Sequence, residues 1–219
     1  MNDAAGDRVR HIYSSSALHY QMLLKFYRGL GVNLKKWRDK AIQRLPNLTE
    51  PRILDVSTGT GANIPLLVER YPDYKEIVGI DYTPAMLKQA VRRVRDNEFK
   101  NIELKLMDAR EMASNLDGCF DLVMSTYSLS IIPGSPRVLQ EMKKLTCDNG
   151  YVMLLDCQKF KGLLRIYNPL AIFLSTRLGG TAQTYSVPVS DIASKMFKPV
   201  YRQLMYSGMF YEDLYKKRS

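Results

Sequence analysis

A short apolar run followed by an acid and two closely spaced glycines lies at residues 53–61, with the sequence Ile-Leu-Asp-Val-Ser-Thr-Gly-Thr-Gly. A second apolar run, Ile77–Ile80, ends at another acid, Asp81, and a helix-like segment lies between the two runs. Glycines at the end of a strand let the backbone approach a ligand closely, and a carboxylate at the end of the next strand can accept both hydroxyls of a ribose. The pattern therefore predicts a strand-turn-helix-strand unit that binds a nucleoside-bearing molecule.

The turn in this unit lacks the motifs that bind phosphate chains. No glycine is followed by lysine and then serine or threonine, so we do not expect a triphosphate site. The spacing Asp55-x-x-x-Gly59-x-Gly61 also lacks the third glycine that accommodates the pyrophosphate of a dinucleotide. These absences argue against nucleoside triphosphates and dinucleotides as the ligand.

Five predicted strands alternate with predicted helices through the middle of the chain. The strands are 52–56, 76–80, 102–107, 120–125 and 151–156, and the helices are 62–71, 84–96 and 135–146. Pro84 suits the first turn of its helix, with Thr83 as the N-cap. Strands that alternate with helices pair in parallel, so we expect an α/β fold with a doubly wound, mostly parallel, Rossmann-like sheet.

The two flanks complete the predicted fold. Apolar residues recur at helical spacing in 23–30 and 34–45, which predicts N-terminal helices. The segment 163–178 is apolar and is predicted to be helical, with a break at Pro169. Residues 201–215 are predicted to form an antiparallel C-terminal hairpin. We expect one domain over residues 1–219. It consists of a helical lid at 1–48, a cofactor-binding core at 50–157, and a substrate-side segment with the C-terminal strands at 158–219.

The net charge of +10 is carried by the flanks. Residues 1–50 carry +5 and residues 151–219 carry +6, whereas residues 51–150 carry −1. Basic flanks favour an anionic partner, such as phosphate head groups, a membrane surface, an acidic substrate or RNA, although solubility alone is the simpler alternative. No apolar run is long enough to span a bilayer and no secretory signal is visible, so we expect a cytoplasmic protein that contacts an anionic membrane peripherally.

The three cysteines, Cys119, Cys147 and Cys157, do not have the spacing of metal ligands, and we expect no metal site. Cys119 and Cys157 fall at or within predicted strands. This placement favours reduced, buried thiols, as is usual for proteins of the cytosol.

Further elements fall in register with the first two strands. Asp108 closes the third strand, residues 120–125 form the fourth, and Asn149-Gly150 precedes the fifth. With these elements in order, residues 50–157 resemble the class I S-adenosylmethionine-dependent methyltransferases. The resemblance implies an enzyme with S-adenosyl-L-methionine as cofactor, in which methyl transfer depends mainly on the alignment of the two reactants.

The same resemblance assigns a cofactor site. The loop from Asp55 to Gly61 would surround the methionine part, Asp81 would bind the ribose diol, and Asp108 would accept the adenine amino group. The implied cofactor-binding residues are Asp55, Ser57, Gly59, Gly61, Asp81, Tyr82, Met86, Asp108, Ala109 and Ser125. Ser57 departs from the family, which usually has glycine at that position.

The motif after the fourth strand bears on the methyl acceptor. It reads Ser125-Thr126-Tyr127-Ser128 and is neither the Asn/Asp-Pro-Pro-aromatic motif nor the cysteine motifs of base methyltransferases, so we do not expect a nucleic-acid substrate. The stretches 81–87 and 125–133 resemble soluble bacterial phosphatidylethanolamine N-methyltransferases. The N-terminal flank, with Lys36-Trp37-Arg38, resembles ubiquinone/menaquinone C-methyltransferases, although Gln21 stands where those usually have aspartate.

The first of these two resemblances is the closer, and the flanks agree with it. A phospholipid offers phosphate to basic flanks, and aromatic rings hold the quaternary ammonium that N-methylation produces. The candidate substrate-binding residues are Tyr13, Tyr20, Tyr127 and Tyr185, each of which could instead be a packing residue. The candidate catalytic residues are His19, as a base, Tyr20 and Tyr127.

We therefore expect N-methylation of a lipid-borne amine, most simply phosphatidylethanolamine. The first alternative is C- or O-methylation of a quinone precursor or another small molecule. The second alternative belongs to a different class, a cofactor-binding interaction protein that transfers no methyl group.

Overall fold

The computed structural model describes residues 32–160, 162–169, 172–173 and 187–218. Within these ranges seven strands form one sheet in the order β3-β2-β1-β4-β5-β7-β6. Their bounds are β1 Arg52–Val56, β2 Glu76–Asp81, β3 Ile102–Leu106, β4 Phe120–Thr126, β5 Thr146–Cys157, β6 Lys198–Met205 and β7 Phe210–Lys216. β1 to β5 pair in parallel, and β7 is antiparallel to both β5 and β6. This confirms the predicted parallel sheet with an antiparallel C-terminal hairpin.

Helices cover both faces of the sheet. The described helices are α1 Leu34–Gln43, α2 Ile64–Arg70, α3 Pro84–Asp96, α4 Ser135–Leu145 and α5 Val189–Met196, with 3₁₀ turns at Ala109–Ser114 and Gly162–Tyr167. Alternate residues of β1 face opposite ways, as the pleat of a strand requires. Leu54 packs in a core with α4 and α5, whereas Ile53 packs in a second core with α1 and α2. The sheet therefore has one apolar core on each of its two faces, as a doubly wound fold requires.

The register of the central strands defines where a ligand can bind. Val56, the last residue of β1, lies opposite Ile80 of β2 on one side and Ser125 of β4 on the other. The strand order reverses between β1 and β4, because the chain moves outward through β2 and β3 and then returns to the other side of β1. In open α/β sheets, ligands bind in the crevice at the carboxyl ends of the strands on either side of such a reversal.

A buried polar network attaches α5 to the hairpin. Asp213 of β7 is fully buried and accepts hydrogen bonds from Ser190 Oγ at 2.6 Å, Arg202 Nε at 2.8 Å and the Tyr215 hydroxyl at 2.7 Å. Burial and the nearby Asp213 carboxylate both raise the pKa of Tyr215, which therefore remains a hydrogen-bond donor. The sequence did not predict α5, which is an additional element of the fold.

The cysteines differ from the expectation of reduced thiols. Cys119 and Cys147 form a disulfide, with 4.9 Å between their Cα atoms, and Cys157 is the half-buried cysteine outside any disulfide among those described. The expectation was wrong for the pair because β5 begins at Thr146 and not near residue 151. This extension pairs Thr146 with Phe120, which brings Cys147 of β5 beside Cys119, the residue before β4.

The flanks are described only in part. α1 confirms the second predicted N-terminal helix, although it ends at Gln43 rather than at residue 45, and the first predicted helix at 23–30 lies outside the described residues. Of the predicted helix at 163–178, the structure describes a 3₁₀ turn at Gly162–Tyr167 and the short pieces 168–169 and 172–173. Across the described ranges, no helix combines the length and apolar character that crossing a bilayer requires.

Candidate active site

A cavity of about 150 Å³ opens at the carboxyl ends of the central strands. Loops after β1, β2, β3 and β4 form its wall, and α1 contributes Arg38. The wall includes eight of the residues that the sequence assigned to a site: Ser57, Gly59, Asp81, Tyr82, Met86, Asp108, Ala109 and Tyr127. The structure thus brings residues from four separate loops into one concave space at the position that the strand order predicts.

Asp81 ties the first two of these loops together. Its two carboxylate oxygens accept hydrogen bonds from the backbone N–H of Gly59 and of Thr83, both at 2.8 Å. Burial raises the pKa of Asp81, and these backbone N–H donors oppose the rise. A carboxylate oxygen can accept more than one hydrogen bond. Asp81 can therefore hold the loop geometry and still accept hydrogen bonds from a ribose diol.

Asp55 lies behind the cavity wall and not on it. Its side chain is fully buried and accepts hydrogen bonds from Thr58 Oγ1 at 2.6 Å and Asn63 Nδ2 at 2.8 Å. Burial raises the pKa of Asp55 to about 6. Asp55 is therefore placed to fix the loop that carries Ser57 and Gly59, and its role toward the methionine part of the cofactor stays a prediction.

Two more of the assigned residues also stand behind the wall. Gly61 has a φ of +70°, and a Cβ there would lie 3.0 Å from Ile64 Cδ1 and 3.1 Å from Ala90 Cβ. The glycine is thus required where the loop packs between α2 and α3 rather than where a ligand approaches. Ser125 is 2% exposed, and its hydroxyl shares a hydrogen bond of 2.6 Å with Ser128 Oγ.

Ser57 occupies the left-handed region of backbone conformation, with a φ of +60°. Glycine adopts this conformation at little cost, whereas an L side chain places its Cβ too close to the following carbonyl oxygen. The backbone therefore explains why the family usually has glycine here. Ser57 is on the cavity wall, so its short side chain is compatible with the loop but costs some conformational energy.

One end of the cavity lies near Asp108. This residue caps the 3₁₀ turn that follows β3, where its carboxylate accepts a hydrogen bond from the backbone N–H of Arg110 at 2.8 Å. The Arg110 guanidinium also forms an ion pair of 2.6 Å with it. Met86, which is 6% exposed, supplies an apolar surface from α3. Flat apolar contact beside a hydrogen-bonding carboxylate suits a heteroaromatic base.

The opposite end of the cavity is organised around Tyr127. Its hydroxyl donates a hydrogen bond to the backbone carbonyl of Leu34 in α1 at 2.9 Å, so it attaches the helix to the loop after β4. The ring makes an edge contact with Phe210, with 6.4 Å between the centroids, and the Arg38 guanidinium lies 5.4 Å from the ring centroid. Ile131, which follows Tyr127 in the same loop, extends the wall with an apolar side chain.

Several wall residues were not assigned from the sequence. Arg38, Thr126 and Arg110 border the cavity. Of these three residues, only Arg38 had a signal in the sequence, as part of the Lys36-Trp37-Arg38 motif. The remaining candidates lie outside the described residues: Tyr13, His19, Tyr20 and Tyr185. Among the residues that the structure does describe, no group of three or more His, Cys, Asp or Glu side chains could hold a metal ion.

Comparisons with known proteins agree with this fold and cavity. A family model described as a methyltransferase domain matches residues 49–186. The chain is 26% identical over 224 residues to the ubiquinone/menaquinone biosynthesis C-methyltransferase UbiE of Citrifermentans bemidjiense, covering 95% of this chain and 92% of that protein. It is 30% identical over 160 residues to the demethylmenaquinone methyltransferase of Bacillus subtilis, covering 71% of this chain and 66% of that protein.

A solved structure shares the fold at much lower identity. The N-methyltransferase NodS from Bradyrhizobium japonicum, in complex with S-adenosyl-L-homocysteine, superposes with a TM-score of 0.62 at 15% identity, covering 85% of this chain and 88% of that one. The family model spans more than half of the chain, and the nucleoside-type cavity lies where the fold predicts it. The chain therefore belongs to the methyltransferase domain family, as a class I enzyme that uses S-adenosyl-L-methionine.

Proposed function

We propose that the enzyme methylates a ring carbon of a reduced, lipid-soluble quinone precursor. The observation that carries this proposal is the similarity to a ubiquinone/menaquinone C-methyltransferase over 95% of the chain. That alignment includes the flanks outside the cofactor-binding core, and the flanks are the parts expected to contact the acceptor. None of the relatives reported above is named as a phospholipid methyltransferase, so the comparisons favour this reading over phosphatidylethanolamine N-methylation.

The surroundings of Tyr127 also favour an acceptor without positive charge. An aromatic ring attracts a cation on its face. The ring of Tyr127 already carries the Arg38 guanidinium, 5.4 Å from its centroid. A second cation at this ring, such as a methylated ammonium group, would be repelled by the fixed guanidinium. A neutral quinol ring meets no such repulsion.

The chain would promote the reaction mainly by positioning. The cofactor supplies an electrophilic methyl group, and the acceptor carbon must align with it for an in-line displacement. Ile131, Ile132 and Pro133 give the acceptor end of the cavity an apolar wall against which a planar ring can lie. An electron-rich quinol carbon needs orientation and loss of a proton but no covalent attachment to the enzyme.

The test is a competition between acceptors. Purified enzyme is incubated with methyl-labelled cofactor and either a demethylated quinol, kept reduced, or phosphatidylethanolamine vesicles, and the labelled product is identified by mass spectrometry. Label on a quinol ring carbon supports the proposal. Label on the amine head group, or on a quinol oxygen alone, overturns it. Tight cofactor binding with no transfer to either acceptor also overturns it and favours the interaction-protein reading.

We also propose that the enzyme approaches its acceptor at an anionic membrane surface. The turn Gly162–Tyr167 has no buried residue, and its Leu163 and Ile166 side chains are 92% and 71% exposed. Arg165 lies between them and is also exposed. Contiguous exposed apolar residues beside cations are a feature of surfaces that bind anionic lipid.

The position of this turn relative to the cavity supports the same proposal. Asn168 accepts a hydrogen bond from the backbone N–H of Phe160 at 2.8 Å, which closes the loop at its base. Phe160 packs in a small apolar cluster with Phe210, and Tyr127 of the cavity wall packs against the same cluster. The exposed turn is therefore attached to the acceptor end of the cavity, where a lipid-soluble substrate would enter.

Vesicle sedimentation tests the membrane contact. We expect the enzyme to sediment with vesicles of phosphatidylcholine and phosphatidylglycerol at low salt, and to be released at high salt or without phosphatidylglycerol. The Leu163→Ser/Ile166→Ser variant should sediment less. The matched control is Leu106→Ser in β3, an edge strand of the sheet, where the leucine is 56% exposed. Equal loss in the control, or no effect of salt, contradicts the proposal.

A further inference from the structure

Two arginines border the cavity, and they differ in their partners. Arg110 is paired with the neighbouring Asp108 carboxylate at 2.6 Å. Arg38 forms no ion pair with any residue in the described part of the chain, and its Nε atom is buried without a hydrogen-bond partner. A buried donor that lacks a partner is costly to the folded protein. This buried N–H, on a residue of the cavity wall, therefore indicates that a ligand supplies the missing acceptor.

The position of Arg38 is fixed before any ligand binds. At the start of α1, the Leu34 carbonyl accepts the hydrogen bond from Tyr127. Just beyond the other end of the helix, the Arg44 guanidinium donates to a Glu212 carboxylate oxygen at 2.8 Å, and Arg70 donates to the Leu45 carbonyl at 2.5 Å. Arg38 lies between these attachment points, and the Tyr127 ring supports its guanidinium.

The electrostatic surroundings show which end of the cavity Arg38 serves. The charge of Arg38 lowers the pKa of Asp55, against the larger effect of burial. Asp55 supports the loop after β1, so the Arg38 guanidinium lies within electrostatic range of that loop. A ligand group at this position must accept a hydrogen bond, and the charged, forked guanidinium favours an anionic, planar group with two oxygens.

We propose that Arg38 binds the carboxylate of the amino-acid part of S-adenosyl-L-methionine. The inference rests on the cofactor of the proposed function but not on its acceptor. The nucleoside is directed to Asp81 and Asp108, which leaves the amino-acid part at the loop after β1 and beneath α1. The pair would join α1, the helix that also contacts Tyr127, directly to the cofactor.

The alternative ligand for Arg38 is an acidic group of the methyl acceptor. The two possibilities differ in what the isolated enzyme binds without any acceptor. S-adenosyl-L-homocysteine carries the carboxylate, whereas 5′-methylthioadenosine has the same nucleoside and lacks the whole amino-acid part. Calorimetric titration of both ligands therefore separates a contact with the carboxylate from a general weakening of the site.

We expect Arg38→Gln to weaken the binding of S-adenosyl-L-homocysteine by roughly 10-fold or more, because a charge-assisted hydrogen bond is lost. Binding of 5′-methylthioadenosine should change by less than about 2-fold, since no contact to that ligand is removed. Arg38→Lys should recover part of the loss. The matched control is Lys36→Gln, which removes one positive charge from an exposed position of the same helix and should leave both ligands unaffected.

A measurement on the unaltered enzyme keeps the proposal testable if Arg38→Gln does not fold. Decarboxylated S-adenosylhomocysteine should bind more weakly than S-adenosyl-L-homocysteine by a similar factor. Equal affinities for these two ligands overturn the proposal, as does an Arg38→Gln variant that binds S-adenosyl-L-homocysteine normally. An equal loss for both nucleosides in Arg38→Gln also overturns it, because the residue would then support the site as a whole.

Discussion

Replacement of Asp55 by asparagine should stabilise the protein near neutral pH. Asp55 is fully buried, and its ordinary pKa of 3.8 is raised to about 6 by burial. Its oxygens accept hydrogen bonds from Thr58 and Asn63. An amide has the same shape as a carboxylate, so the introduced side chain can accept from Asn63 and donate to the Thr58 hydroxyl. The substitution removes a buried charge and keeps one hydrogen bond to each neighbour, but the Thr58 hydroxyl hydrogen loses its acceptor.

The pH dependence follows from the direction of the shift. Because the folded pKa is higher than the unfolded one, the folded state binds the proton more tightly, and Asp55 costs nothing below pH 3.8. The cost grows as the pH rises from 3.8 through about 6 and is constant above that. It amounts to about 3 kcal/mol at pH 7 and about 2 kcal/mol at pH 5.

The asparagine variant recovers this cost and loses about 1 kcal/mol in hydrogen-bond strength. We therefore expect it to be more stable than the original protein by about 2 kcal/mol at pH 7 and by about 1 kcal/mol at pH 5. Urea unfolding at several pH values between 5 and 8, without cofactor, measures the difference. The control is Asp117→Asn, at an exposed position, which should change stability little.

Two results would refute this reasoning. A difference in unfolding free energy that does not narrow at lower pH would show that Asp55 does not titrate near 6. A variant that is less stable than the original protein at pH 7 would show that the carboxylate is stabilised by its hydrogen bonds more than burial destabilises it. Either result would contradict the claim that the ionised Asp55 carboxylate destabilises the folded protein near neutral pH.

Three further outcomes are expected. Asp81→Ala should abolish calorimetric binding of S-adenosyl-L-homocysteine, whereas Asp96→Ala, at an exposed site, should not; retained affinity would remove the ribose role of Asp81. Ser57→Gly should bind the cofactor normally and change the unfolding free energy by less than about 1 kcal/mol, because relief of the left-handed backbone offsets the added freedom of the unfolded chain. Replacing Cys119 and Cys147 by serine should lower the unfolding free energy by about 3 to 4 kcal/mol, because the disulfide joins residues with a sequence separation of 28. If a reductant leaves the urea unfolding of the original protein unchanged, this prediction is wrong.

The core of the fold was predictable because local rules determine it. β1 and α3 occur at the predicted bounds, since apolar runs, a proline at the first helical turn and a following glycine-rich loop identify them. Thr83 is the N-cap position of α3 as predicted, but its side chain makes no capping hydrogen bond. Asp81 accepts from the Thr83 backbone instead. The residue pattern predicted the helix start, and the tertiary structure supplied a different partner.

The start of β5 and the helix α5 were not predictable in the same way. The first residues of β5 include Asp148, Asn149 and Gly150, which are typical of a turn, and Asn149 has a φ of +65°. They belong to β5 because Thr146 pairs with Phe120 and Tyr151 with Leu122 of β4, and the residues between Thr146 and Tyr151 form an irregularity in the pairing. The disulfide depends on this pairing, so spacing along the sequence could not reveal it.

The two halves of the active site differ in how far the sequence determines them. The cofactor half is built from short loops whose conformation depends on local features, such as the left-handed Ser57 and Gly59 and the carboxylates that end or cap neighbouring elements. The half that we propose for the acceptor depends on contacts between distant segments. Tyr127 and Leu34, joined by a hydrogen bond, are 93 positions apart, and Phe210 packs against Tyr127 from the far end of the chain. A motif can identify the donor because its residues lie in a few short local stretches, whereas the shape and charge of the proposed acceptor half exist only after α1, the loop after β4 and β7 have come together.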